Sequence, residues 1–316
     1  MPLDARAKRF LDTLAALNPP GALSLSAAER REALKHLLNF SGRSEAVSAV
    51  EDRTFPGPAG AIALRIYTPS SRHSSEALPG LVYFHGGGLV AGSLETHDAI
   101  CRCLANASEC RVLSVDYRLG PESRFPAALE DGCAATRWIA GHARELLIDP
   151  RRLGICGDSA GATLAAVICQ QLALAGGEGP ALAFQFLLCP IMDFVAESAS
   201  RRELAQGYLV DRETLQHDLR HYLGPDADAA DPRVSPLRAP HLAGLPPTIV
   251  HTAEFDPLRD EGRAYAERLE SAGVRTLYRC HPGMIHLFYG MRGLIPYAGT
   301  AYAQMGADIR SVLDAA

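Results

Sequence analysis

Short apolar runs alternating with stretches of helical period set the rhythm of this chain. Leu81–Phe84, Arg111–Val115, Leu153–Cys156, Ala183–Leu188, Thr248–His251 and Arg275–Arg279 each read as a strand, as does Ile62–Tyr67 upstream. Between most of them apolar residues recur at helical spacing, over His97–Ala107, Pro126–Leu147, Ala162–Ala175 and Leu258–Ser271. Alternation of this kind predicts the α/β class, a mostly parallel central sheet with helices on both faces. Two amphipathic helices, Leu3–Leu17 and Ala27–Phe40, precede it, separated by Asn18-Pro19-Pro20-Gly21. The second opens on Ser26-x-x-Glu29, a capping box that satisfies free N–H groups at a helix start.

The stretch from Phe194 to Pro240 breaks the rhythm with charged, helix-like sequence and no strand. An insertion there would lie over the C-terminal ends of the strands, where open α/β sheets bind ligands. The expected division is therefore residues 51–193 and 236–316 as the catalytic domain and 194–235 as a helical cap. Residues 1–50 would contribute their helices to that cap.

Composition narrows the function classes. The chain has 316 residues, 47% of them hydrophobic and 21% charged, with a formal net charge of −5. Arginines are scattered and form no basic block, so neither nucleic acid nor an anionic membrane surface is an expected partner. No window approaches the ~20 apolar residues of a membrane span, and the N-terminus lacks a secretory apolar stretch. Eight cysteines without a C-x-x-C pair read as packing residues in a reducing compartment. A cytoplasmic location is the expectation.

Candidate chemistry begins at Gly157-Asp158-Ser159-Ala160-Gly161, between an apolar run and a helical one. A serine between glycines at a strand-to-helix turn has its hydroxyl lifted clear of the sheet. The N–H of Ala160 would sit at a helix N-terminus, facing developing negative charge. Upstream, His85-Gly86-Gly87-Gly88 closes the strand Leu81–Phe84. Consecutive glycines there suit backbone donors gathered around an oxyanion, each worth roughly 3 kcal/mol. A dinucleotide fingerprint, Gly86-x-Gly88-x-x-Ala91, competes for the same glycines, but it lies deep in the chain and Asp116 falls late for its acidic partner.

A serine nucleophile needs a base and an orienting acid. Asp256 follows the strand Thr248–His251, and His286 follows Arg275–Arg279 beyond the Gly283 turn. Both fall on loops at the strand edge that carries Ser159, in the chain order Ser, Asp, His. His281 rivals His286, and Glu254 and Asp260 rival Asp256. His217-Asp218-Leu219-Arg220-His221 has a zincin-like histidine spacing, but with Asp in place of Glu and no third ligand nearby it reads as an exposed cap helix.

Together these motifs resemble the bacterial hormone-sensitive-lipase family of α/β-hydrolase esterases. The resemblance runs from about residue 50 to the end. It includes His85–Gly88 with Glu95-Thr96-His97-Asp98, and Asp116–Glu122 with Phe125-Pro126-Ala127-Ala128. It continues through Gly157–Gly161, Ser235-Pro236-Leu237 and Thr252–Gly262. The resemblance implies an α/β-hydrolase fold, Ser159 as nucleophile, His286 as base and Asp256 as its orienter. It implies Gly87, Gly88 and Ala160 as oxyanion donors, with His85 and Gly86 as structural members of their loop, and neither cofactor nor metal. Departures fall around the substrate. Leu89 stands where an aromatic often follows the glycines, Leu287 replaces a glycine, and His217-Asp218 replaces a common aromatic pair near Tyr208. Leu89, Asp158, Tyr208 and His217 are thus the candidates for the substrate pocket, unless the cap helix turns His217 and Asp218 to solvent.

The expected activity is hydrolysis of small carboxylic esters with short to medium acyl groups through an acyl-serine intermediate. Two other readings stay open on the same scaffold: a non-catalytic small-molecule-binding protein, and an acyltransferase or lactonase using the same residues. Family members often dimerise, which leaves a homodimer open.

Overall fold

The computed structural model describes residues 1–73, 75–176, 179–225 and 227–315. Its strands are β1 (Ala49–Gly57), β2 (Gly60–Thr68), β3 (Leu78–Phe84), β4 (Arg111–Val115), β5 (Ile148–Asp158), β6 (Phe184–Leu188), β7 (Thr248–Phe255) and β8 (Thr276–Ile285). They form one sheet in the order β1-β2-β4-β3-β5-β6-β7-β8. β2 runs antiparallel to both β1 and β4, and every pairing from β4 across to β8 is parallel.

The apolar runs are continuous because both faces of the sheet are covered. Val82, Phe84, Ile155, Leu187 and Val250 share one core with helices α4 (Ala127–Gly141), α5 (Ala160–Leu174) and α8 (Arg259–Ser271). Their neighbours Leu81, Tyr83, Cys156, Phe186 and Ile249 belong to the opposite core, under α3 (Asp98–Ser108) and α9 (Tyr297–Leu313). Two elements escape the apolar pattern. β1 is an edge strand whose only buried residue is Phe55, so its polar sequence suits an exposed margin. α9 is rich in alanine and glycine, and its buried stripe of Ala301, Tyr302, Met305 and Ile309 becomes visible only against α3. The helix expected over Pro126–Leu147 stops at Gly141, and β5 begins earlier than expected because Ile148 pairs with Leu78.

The N-terminal helices α1 (Ala5–Leu17) and α2 (Ala27–Leu38) and the insertion helices α6 (Ala199–Glu203) and α7 (Arg212–Tyr222) stand apart from these layers. The capping box of α2 forms, with Glu29 accepting from the Ser26 backbone and Ser26 from that of Glu29. One turn on, the Arg31 guanidinium donates to the carbonyls of Val90 and Gly120 and to the Glu122 carboxylate. α2 is therefore pinned directly to the segment that follows the glycine loop. Among the described residues no helix is long and apolar enough to cross a membrane.

Burial in the second core makes Phe186 a sensitive position. Phe186→Ala should lower unfolding free energy by about 3–5 kcal/mol, whereas Thr54→Ala on the exposed edge should cost less than about 1 kcal/mol. Urea denaturation of both variants checks this contrast.

Candidate active site

Ser159 joins β5 to α5 at φ +53° and ψ −123°, a conformation that costs a non-glycine residue about 1–3 kcal/mol. The neighbouring glycines are steric necessities. A Cβ on Gly157 would lie 2.3 Å from the Gly161 carbonyl oxygen, and one on Gly161 2.1 Å from that of Phe84. The Ser159 N–H donates to Leu188 O at 2.8 Å, which ties the turn to β6. Ala160 is the first residue of α5, where backbone N–H groups have no partner within the helix.

β7 and β8 deliver the other two residues. Their pairing shifts register between Ala253 and Phe255, so that Phe255 faces Ile285. The next residue of each strand then meets the other: His286 Nδ1 donates to Asp256 Oδ2 at 2.7 Å. His286 Nε2 lies 3.1 Å from Ser159 Oγ. The second oxygen of Asp256 accepts from the Leu258 N–H at 2.9 Å, which holds the carboxylate in place. All three side chains are buried. Burial works to lower the His286 pKa, but the charge of Asp256 and its hydrogen bond outweigh it, and the net shift is upward.

The rival residues lie elsewhere. His281 sits inside β8, bonded to His251 and Tyr297, and burial beside His251 pushes it down to about 3. Glu254 accepts from the Met1 amine and the Gly283 N–H, while Asp260 accepts from Ser200 N. Among the described residues, Cys189, Asp256 and His286 form the one grouping with metal-ligand spacing. Two of its members are already engaged with each other, and burial holds the Cys189 thiol neutral by raising its pKa. The zincin-like pair is not poised for metal either: His217 uses both ring nitrogens, and His221 Nδ1 donates to His217 O. That helix is not exposed at this point, since His217 and Asp218 are both buried.

The glycine loop is held against the serine turn by Asp158. This fully buried carboxylate accepts from the Gly86 N–H at 2.9 Å and from the Tyr83 and Tyr289 hydroxyls. Burial alone would raise its pKa, but His97 and the two hydroxyls bring it down to about 2. His85 stacks on Tyr117 and donates from Nδ1 to Gly86 O; burial lowers its pKa to about 3, so the ring is neutral. Gly87 and Gly88 both take positive φ, +114° and +70°.

A cavity of about 420 Å³ opens over these groups, lined by Gly87, Gly88, Ser159 and His286 and by apolar side chains such as Leu34 and Leu215. Of the pocket candidates, Asp158 reaches it. Leu89 is buried in the core at φ +62°, and Tyr208 stacks on Phe255. His217 turns instead to the Leu25 carbonyl, and its neighbour Asp218 lines the cavity beside Arg30 of α2. Arg30 carried no local signal. Its position reads as an ordinary charged site on an amphipathic helix, and only the docking of α7 buries it.

A profile of the family described as alpha/beta hydrolase fold matches residues 81–290. Esterase LipI of Mycobacterium tuberculosis is 41% identical over 266 residues, covering 84% of this chain and 82% of LipI. The arylesterase of Saccharolobus solfataricus is 37% identical over 92% of this chain and 93% of its own. The chain belongs to the hormone-sensitive-lipase family of α/β-hydrolase carboxylesterases. An ester hydrolase from the metagenome of Lake Arreo, solved with a derivative of bipyridine phosphonate, superposes with a TM-score of 0.93 at 42% identity over 98% of both chains. The esterase of Pyrobaculum calidifontis gives 0.91 at 37% identity over 98% of this chain and 99% of its own. This esterase is thus an enzyme that hydrolyses carboxylic esters.

Asp158→Ala in this esterase would strand buried donors on Tyr83, Tyr289 and Gly86. Its unfolding free energy should fall by about 3–5 kcal/mol in urea denaturation at neutral pH. The folded pKa is depressed, so the stabilisation from Asp158 is present above the unfolded value of about 3.9. It is lost as pH falls through about 2, and the deficit of the variant against wild type should shrink over that interval.

Proposed function

We propose that this esterase cleaves short to medium acyl esters through an acyl-enzyme on Ser159. The observation that carries this reading is the unbroken chain from Asp256 through His286 to Ser159 Oγ, at 2.7 and 3.1 Å. Ser159 Oγ attacks the ester carbonyl carbon while His286 Nε2 takes the hydroxyl proton. Asp256, bonded at Nδ1, fixes the tautomer that leaves Nε2 free to accept and stabilises the imidazolium that forms. The carbonyl oxygen becomes an oxyanion facing the N–H groups of Gly87, Gly88 and Ala160. Collapse breaks the bond to the alcohol oxygen, which leaves with the proton from His286. Water then repeats the sequence on the acyl-serine and releases the acid.

α1, α2, α6 and α7, from residues 1–50 and 194–235, form a cap over the catalytic unit of residues 51–193 and 236–316. A volume of about 420 Å³ lies toward the small end of the usual ligand-pocket range of ~300–1,000 Å³, which supports small esters. Eight free cysteines, seven of them buried, support a reducing, cytoplasmic setting.

Ser159→Ala and Asp256→Asn should each lower kcat about a thousandfold or more with the fold retained, because the three residues act as a unit. Near-normal turnover in folded Ser159→Ala would end the proposal. The rate should also rise with pH as His286 loses its proton. Because its pKa is raised, the midpoint of kcat/KM should lie above the ordinary imidazole value of about 6.5. A pH profile on p-nitrophenyl acetate reads this directly. Across p-nitrophenyl esters from acetate to laurate, kcat/KM should peak in the shorter half of the series.

A further inference from the structure

Arg30 and Asp218 form an ion pair inside the substrate cavity that no step of the proposed hydrolysis uses. The pair is bidentate, with Nε to Oδ1 at 3.1 Å and Nη2 to Oδ2 at 2.9 Å. Both side chains are largely buried, at 14% and 6% exposure. The carboxylate lies directly against the glycine loop. A Cβ on Gly88 would come within 2.0 Å of Asp218 Oδ2 and 2.5 Å of the Asp218 Cβ.

A histidine completes the cluster. His217 Nδ1 faces Asp218 Oδ1 at 2.9 Å and its Nε2 faces Leu25 O at 3.0 Å. The hydrogen bond to Asp218 raises its pKa, in keeping with that geometry.

An uncompensated carboxylate against Gly88 would repel the oxyanion that the glycine N–H groups are proposed to hold. We propose that Arg30 is a positioning residue for acyl transfer: its guanidinium neutralises the Asp218 carboxylate packed against Gly88. α2 therefore completes the electrostatics of the active site as well as covering it. The proposal rests on the acyl-serine reading above and adds to it a charge balance supplied from the N-terminal helix.

The same balance reaches His286. Asp256 and Asp158 raise its pKa and Arg30 lowers it. Cys189 lies within 4.8 Å of its ring as a buried thiol, and Ser159 faces Nε2. Asp218, Asp211 and His97 line the cavity onto which His286 opens. Removing the guanidinium alone strips Asp218 of its bidentate partner and leaves it His217 alone, which favours the imidazolium of His286 and moves the acid limb of kcat/KM to higher pH. Removing the carboxylate alone moves that limb to lower pH.

The test is a mutant cycle of Arg30→Met, Asp218→Asn and the double variant, with Arg30→Lys as the conservative control. Each is measured for kcat, KM and the acid-limb midpoint on p-nitrophenyl acetate. Arg30→Met should lose about tenfold or more in kcat, with the acid limb raised, because the buried Asp218 carboxylate keeps its charge without its bidentate partner. The double variant should recover most of that loss and bring the limb back toward wild type, and Arg30→Lys should keep the wild-type limb. An Arg30→Met enzyme with unchanged kcat and limb overturns the proposal, as does a double variant no better than Arg30→Met, which would mark a packing role. Should Arg30→Met fail to fold, Asp218→Asn decides: a lowered limb supports the proposal and an unmoved one overturns it. Full turnover in Ser159→Ala would instead defeat the acyl-serine reading itself, so the two failures are distinguishable.

Discussion

The buried carboxylate of Asp158 joins the two backbone features on which the site is built. One lies on its own strand, where β5 turns sharply through Ser159 into α5. The other is the glycine loop after β3, which Asp158 grips through the Gly86 N–H while Tyr83 and Tyr289 satisfy its remaining capacity. A buried charge is tolerated only when fully hydrogen-bonded, and this one is. The penalty for separating the loop from the turn is therefore that of a buried ion that has lost a hydrogen bond.

A similar economy places the other two residues. Asp256 and His286 are the first residues beyond Phe255 and Ile285, which face each other across β7 and β8. Strand pairing thus sets their approach, and the Leu258 N–H fixes the carboxylate that His286 meets. Helices α1, α2, α6 and α7 are held differently. Arg31 of α2 reaches the carbonyls of Val90 and Gly120, and Arg30 of α2 pairs with Asp218 of α7. The sheet-borne parts are set by strand pairing, whereas the cavity wall where α2 meets α7 is set by the Arg30–Asp218 ion pair.

That difference explains what was legible in the chain. The serine turn was readable because the positions on either side of Asp158–Ala160 must be glycine: a Cβ at Gly157 or Gly161 would strike the carbonyl oxygen of Gly161 or Phe84. The sheet was readable because strands buried on both faces are continuously apolar, and β1 was not, because as an edge strand it buries little beyond Phe55. Sequence spacing selects His286 as lying in a loop beyond the Gly283 turn, whereas β8 continues through that point to Ile285 and keeps His281 within the strand. The pocket wall was least legible. Leu89 and Tyr208 are taken up by the core and by Phe255, and the orientation of α7 depends on its packing against residues 22–24 of the N-terminal segment. Arg30 enters the cavity through that non-local packing alone.

Covalent trapping tests the central claim most directly. Wild-type enzyme treated with a serine-directed organophosphate and analysed by peptide mass spectrometry should carry a single phosphoryl adduct, on Ser159, with esterase activity lost in proportion to labelling. His286→Ala, lacking the base 3.1 Å from Oγ, should label far more slowly. An adduct on another residue accompanying the loss of activity, or full inhibition with Ser159 unmodified, would contradict the account.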